Sequence, residues 1–183
     1  MNPARWAWAA TLATGLSLLG ACSTVAPSRY AVSADNVVQL KRLPAGRWRM
    51  GTITPPPEYS GRCRLAAPID GPDGLSIPQY IERAFNDEFK LAGVHADAAP
   101  AITGRLQRLS FDSFAGLGRG RWLIELTLRG TDGREMTVAQ QHEFSVGFDG
   151  LAACEQTARA LQPAVQDLIR QAIAQPAFAT LAR

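Results

Sequence analysis

Nucleophilic chemistry needs a serine or cysteine beside a base, with a third group orienting that base. Ser110, Asp112 and Ser113 lie close together in the chain, and His142 follows on what reads as a separate strand. A hydrolase set can be assembled from them on paper. No Gly-x-Ser-x-Gly elbow accompanies the serines, and a half-buried histidine hydrogen-bonded near a sheet edge accounts for His142 equally well. Glu82, Asp87 and Glu88 share one predicted helix. Paired carboxylates of this kind can do acid–base work, but an exposed helix face explains them. Ala115-Gly116-Leu117-Gly118-Arg119-Gly120 is glycine-rich, yet it has no Lys-Ser/Thr ending and no following helix. The phosphate-cradling context is therefore unmet, and a mobile hairpin tip is the better reading. Cysteines and histidines lack metal-ligand spacing. The expectation is a non-enzyme with no metal and no cofactor.

The thiol chemistry of the N-terminus is more specific. Arg5 is the only charged residue before Cys22, and Trp6 to Gly20 are apolar or small. A positive start, a short apolar run and small residues before a cut define a secretory signal peptide, here residues 1–21. The run is short of the ~20 apolar residues that a spanning helix needs. Its last residues, Leu19-Gly20-Ala21-Cys22, resemble the lipobox of bacterial lipoproteins. The resemblance implies that Cys22 becomes the N-terminus and carries diacylglycerol through a thioether, with palmitate among its acyl chains. Several chains on one residue anchor stably. Ser23, in place of aspartate, implies sorting to the outer membrane with the domain facing the periplasm. A soluble secreted protein cut elsewhere is the alternative.

If Cys22 is acylated, Cys63 and Cys154 remain, in a compartment where disulfides form. A Cys63–Cys154 bridge is expected, with two buried free thiols as the alternative. Losing Arg5 lowers the formal charge from +3 to +2. A balance so near neutral does not call for nucleic acid. Lys41, Arg42, Arg47, Arg49, Arg62 and Arg64 cluster early; they read as a solvated face in preference to an anionic-lipid site.

These residues need elements to position them. Residues 22–45 read as the lipidated N-terminus and a tether, with Tyr30–Leu40 able to dock on one domain spanning 46–183. Arg47 to Ile53 alternates as a strand, which Pro55-Pro56-Pro57 ends. The loop from Glu58 to Gly74 holds Cys63, and a bridge would pin it. Ser76 is a natural N-cap and Gly93 a natural C-cap for an amphipathic helix over 77–92. Ala101 to Phe114 is a second strand, with a bulge near Gln107-Arg108 to keep its apolar side chains on one face. Arg121 to Arg129 is the third strand, and Asp132-Gly133 makes a hairpin turn. The fourth strand places Met136, Val138, Phe144, Val146 and Phe148 inward. From Asp149 one long helix carries Leu151, Cys154, Ala158, Leu161, Val165, Leu168 and Ile169 as its apolar stripe, kinked at Pro163.

The order β-α-β-β-β-α, with one apolar face per strand, predicts an α+β two-layer sandwich. Two helices would cover one face of a four-stranded, mostly antiparallel sheet. With the lipobox at Leu19–Cys22 and the Ala153-Cys154…Pro163-Ala164-Val165-Gln166 start of the last helix, the chain resembles small Gram-negative outer-membrane lipoproteins. Its layout is similar to the lipopolysaccharide-assembly lipoprotein and to auxiliary lipoproteins of ABC-type transporters. That resemblance implies a membrane-anchored accessory component of envelope assembly or transport, with an envelope protein as partner. A lipid or small-ligand carrier is the alternative, with Trp48, Tyr59, Tyr80 and Trp122 lining a cleft; a periplasmic hydrolase is the third.

Overall fold

The computed structural model describes residues 25–44, 46–64 and 68–181. The predicted signal peptide 1–21 and Cys22 lie outside the described residues. Along the chain run α1 (Ala34–Arg42), β1 (Arg49–Thr54), α2 (Ile77–Ala92), β2 (Ala101–Gly116), β3 (Arg119–Arg129), β4 (Glu135–Ser145), α3 (Gly150–Arg159) and α4 (Leu161–Ala174). The strands form one sheet in the order β1-β2-β3-β4. β1 and β2 are parallel, joined by a crossover through α2, and the other two pairs are antiparallel. This is the predicted two-layer α+β fold. α2 packs on β1 and α4 on β4, while α3 lies across β2, β3 and β4.

Local chemistry explains most of these elements. Ser76 accepts from the Gln79 backbone N–H while the Gln79 side chain accepts from Ser76, a reciprocal cap that starts α2. Gly93 ends it at φ 74, a left-handed conformation that costs glycine little. On β3, Trp122, Ile124, Leu126 and Leu128 are all buried, with Leu126 opposite Val138 and Leu128 opposite Met136. The β2–β3 register slips between Leu106 and Arg108. That bulge lets Ile102, Leu106 and Leu109 share the buried face. At the other end of the core, Trp48, Phe89 and Phe178 pack with ring centroids 6.0–6.2 Å apart.

Four local expectations are sharpened or corrected. The stretch read as a tether, with Tyr30–Leu40 able to dock, does dock: it contains α1, which packs on α2 and α4 and buries Asn36, Val37 and Leu40. A nine-residue helix with two large buried apolar residues has too little periodicity to see in sequence, and its stability is tertiary. The last helix carries the disruption expected at Pro163, displaced by one turn toward its start. It breaks at Ala160, because Pro163 lacks the N–H that would bond the Arg159 carbonyl and its ring crowds that carbonyl. The glycine-rich stretch is the hairpin tip expected, but shorter than residues 115–120: β2 reaches Gly116 and β3 starts at Arg119, leaving a tight turn at Leu117-Gly118. Finally, Phe148 and Leu151 are exposed. β4 stops at Ser145, so the inward alternation no longer governs Phe148.

Candidate functional site

Glu88 is the least expected side chain in the molecule. It sits four residues after Ala84 and seven after Ile81, which places it on the buried stripe of α2, not the solvated face. It is completely buried. Its Oε1 accepts from the Tyr30 hydroxyl at 2.6 Å, the Ser33 backbone N–H at 2.9 Å and Asn36 Nδ2 at 3.3 Å. Asn36 Nδ2 also donates to the Gln166 carbonyl, and Gln166 Nε2 donates to the Ala31 carbonyl. Residues 30–36 are thus stitched to both α2 and α4. Upstream, the Tyr80 hydroxyl donates to the Ser28 carbonyl, and Tyr30 meets Tyr80 edge-on. Arg29 reaches Asp73 at 2.8 Å, but this pair is exposed and contributes little.

Beside this clamp lies an open cleft of about 310 Å³, bordered by Arg29, Tyr30, Asp73, Tyr80, Arg83 and Asp87. Charges of both signs line it, so it suits a small zwitterionic or polar ligand better than an acyl chain. Of the aromatics proposed to line a carrier cleft, Tyr80 borders this one. Trp48 and Trp122 do not: both are core residues, and Trp122 Nε1 donates to the Thr157 carbonyl. Burial holds the hydroxyls of Tyr30, Tyr59 and Tyr80 well above the ordinary phenol value of 10.0, with the Glu88 carboxylate adding to the effect at Tyr30. These are the chain's only tyrosines. Unfolded, they would ionise near pH 10, so the unfolded state binds fewer protons above that point and the tyrosines' contribution to stability, intact below it, is lost as pH rises. In an alkaline titration, tyrosinate absorbance should rise together with loss of the far-ultraviolet dichroism, not before it. A hyperbolic rise in the still-folded protein would contradict the burial.

Cys63 and Cys154 are joined, with an S–S distance of 2.07 Å and Cα atoms 5.8 Å apart. Cys154 faces the sheet from α3, and both side chains are fully buried. The next residue, Arg64, takes a left-handed backbone at φ 49, which non-glycine residues adopt rarely. Its Nη2 donates to the Ser113 carbonyl at 2.9 Å, Nε to Ser113 Oγ at 3.2 Å and Nη1 to the Phe148 carbonyl at 3.5 Å. One guanidinium thereby ties the pinned loop to β2 and to the chain after β4. The rest of the basic run does not converge. Arg47 donates to the Gly93 carbonyl, Arg49 to that of Ala99, and Lys41, Arg42 and Arg62 are exposed singly.

The hydrolase residues are kept apart. His142 stands opposite Trp122, which stands opposite Phe111, so a whole strand separates it from Ser110 and Ser113. Two strand spacings are about 10 Å, far beyond hydrogen-bond reach. His142 Nδ1 is 2.9 Å from Asp167 Oδ2, and Arg170 binds the other oxygen of Asp167 at 2.6 Å. This pair staples edge strand β4 to α4, and no hydroxyl or thiol among the described residues completes it. Ser113 is held by Arg64, and Asp112 caps Phe114 N–H and approaches Arg121. The outer sheet face is polar, laced by Arg119–Glu143 and Arg129–Glu135 pairs and a Thr127–Thr137 hydrogen bond. Among the described residues no group of three or more His, Cys, Asp or Glu is placed to hold a metal ion.

No protein-family model and no curated protein matches this sequence. Solved structures do. A Xanthomonas campestris protein of the family DUF330 is similar at a TM-score of 0.51 and 15% identity, over 81% of this chain and 94% of that one. A candidate lipoprotein of Caulobacter crescentus aligns at a TM-score of 0.41 and 14% identity, over 80% of this chain and 94% of that one. A minor lipoprotein of Acinetobacter baumannii aligns at 0.40 and 11%, over 75% of this chain and 93% of that one. At this identity, the Xanthomonas likeness concerns the fold.

Proposed function

We propose that this protein is a non-enzymatic lipoprotein of the Gram-negative envelope, anchored by acyl chains on Cys22. Its domain acts as an accessory, partner-binding component of an assembly or transport system. The observation that carries the reading is Leu19-Gly20-Ala21-Cys22 at the end of a short apolar run. The folded segment 25–44 strengthens it, because the clamp at Glu88 begins only eight residues after Cys22, at Tyr30. The outer membrane, with the domain in the periplasm, is the placement that Ser23 favours. Residues 1–21 are then removed, and residues 46–183 form the single domain on which residues 25–44 dock.

The test is Cys22→Ala in the full chain. The wild-type protein should partition with the outer membrane, and its N-terminal peptide should carry the mass of diacylglycerol and a further acyl chain. The variant should lose that mass and leave the outer-membrane fraction. Unchanged mass and fractionation would overturn the anchor. A small-ligand carrier is the second reading, favoured by the cleft at Tyr30 and Tyr80.

A further inference from the structure

Six large apolar side chains are prominently exposed among the described residues, and four gather at one end of the molecule. These are Phe114 (61% exposed), Leu117 (86%), Phe148 (80%) and Leu151 (53%). Their proximity follows from the backbone. Leu117 is the tip of the β2–β3 hairpin, and the Val146 N–H donates to the Gly118 carbonyl beside it. Phe114 and Phe148 each adjoin or belong to a carbonyl held by the same Arg64 guanidinium. Leu151 lies in the first turn of α3, which Asp149 caps. Apolar side chains standing 53–86% exposed at a hairpin tip and two chain turns suit a soft surface that they enter. Arg119, exposed and 3.7 Å from Glu143, adjoins the tip as a group that can exchange that partner for phosphate.

The chain upstream shows which surface is at hand. α1 runs toward Gly93 and Val94, the end of the domain where β2 begins. The residues before it pass the first turn of α2, where Ser28 meets Tyr80, and so approach from the hairpin side. Val25 is already buried on the domain. Two residues separate it from Cys22, and three chain steps reach about 11 Å at most. A lipid on Cys22 therefore holds the domain close against its bilayer, with the hairpin end on the side from which the chain arrives.

We propose that this end is a second membrane contact: Phe114, Leu117, Phe148 and Leu151 enter the headgroup layer of the same bilayer that receives the acyl chains of Cys22, orienting the domain. The inference rests on the anchor reading above. Its test uses the full chain, processed in cells and reconstituted in vesicles of phosphatidylethanolamine and phosphatidylglycerol. A Leu117→Cys variant labelled with an environment-sensitive fluorophore should shift to the blue and lose most of its emission to brominated lipid. A Thr131→Cys label at the opposite hairpin should do neither. The chain without an added cysteine is the control for the anchor. With Cys22 acylated and Cys63 bonded to Cys154 it takes no label. Label found on the Cys22 peptide there would overturn the anchor reading and the second contact together. An anchored protein whose residue 117 label responds no more to brominated lipid than the residue 131 label would overturn the second contact alone. So would residue 117 labels shielded by crosslinking to another copy or to a protein partner.

Discussion

Reducing the Cys63–Cys154 bridge should lower the unfolding free energy by about 4–5 kcal/mol, the chain-entropy value for a closed loop of this length. The two residues are 91 apart in sequence. The bridge therefore restricts most of the domain in the unfolded state. In the folded state it fixes a loop without regular strand or α-helix, between the Thr54 end of β1 and the Ile77 start of α2. Guanidinium unfolding with and without a phosphine reductant should show a large fall in midpoint, with a steeper slope because the unbridged unfolded chain exposes more surface. Replacing both cysteines with alanine should reproduce it, with some added loss from the buried volume removed. Equal midpoints would show that the native loop is held by its other contacts. Those contacts are identifiable: Ile69 N–H to the Gly61 carbonyl, the Tyr59 hydroxyl to the Ile69 carbonyl, and the three bonds from Arg64.

Glu88→Ala should cost about 3 kcal/mol or more, since each buried donor left without an acceptor costs about 1–3 kcal/mol. The donors at stake are the Tyr30 hydroxyl, the Ser33 N–H and one hydrogen of Asn36. The loss need not unfold the sheet. Detachment of residues 25–44 re-exposes those donors to water, so the damage should appear locally. Hydrogen exchange should accelerate sharply across Tyr30–Leu40, while β3 stays protected. Glu88→Gln keeps one acceptor oxygen but weakens charge-assisted bonds to neutral ones, so its effect should be smaller and in the same direction. An alanine variant with wild-type exchange over Tyr30–Leu40 would mean that Val37 and Leu40 hold the segment unaided. The consequence for function is a matter of geometry. A docked segment keeps a lipid on Cys22 close to the domain; a released one would give some twenty residues of slack.

Where local signals act alone, the sequence was readable. Ser76 and Gly93 mark both ends of α2, because caps are decided by a residue and its neighbours within one turn. The alternation of Trp122, Ile124, Leu126 and Leu128 marks β3, because each strand buries one face. Gly130 to Gly133 marks the turn that follows. The bulge at Gln107 was legible too, because the apolar parity changes there and only an extra residue restores it. The placement of His142 against a sheet edge followed from its interruption of an apolar face, although its partner Asp167 did not.

What escaped had its cause elsewhere in the chain. Glu88 reads as solvated by residue type. Only the arrival of Tyr30, Ser33 and Asn36, more than fifty residues earlier, makes its burial affordable. α1 has local signals, Ser33 as its N-cap, Asp35 in the first turn and Lys41-Arg42 in the last, but few large apolar residues, so α2 and α4 supply most of its stability. The break at Ala160 was half legible: Pro163 announced a disruption, but its effect falls on the carbonyl four residues back. Phe148 and Leu151 look like core residues, and they are exposed because the strand ends three residues before the first of them.

By itself, then, the sequence determined the α+β class, the succession of the four strands along the chain and the ends of α2, and it supplies at Cys22 the thiol that an anchor would require. All of these depend on residues adjacent in the chain or on a period within one element. The tertiary structure decided that the presumed tether is a docked helix, that Glu88 is its clamp, that Ser113 and His142 belong to different strands of the sheet, and that Phe114, Leu117, Phe148 and Leu151 share an end. Those are juxtapositions across many residues, and they arise when the burial of one element supplies partners that another cannot find within itself.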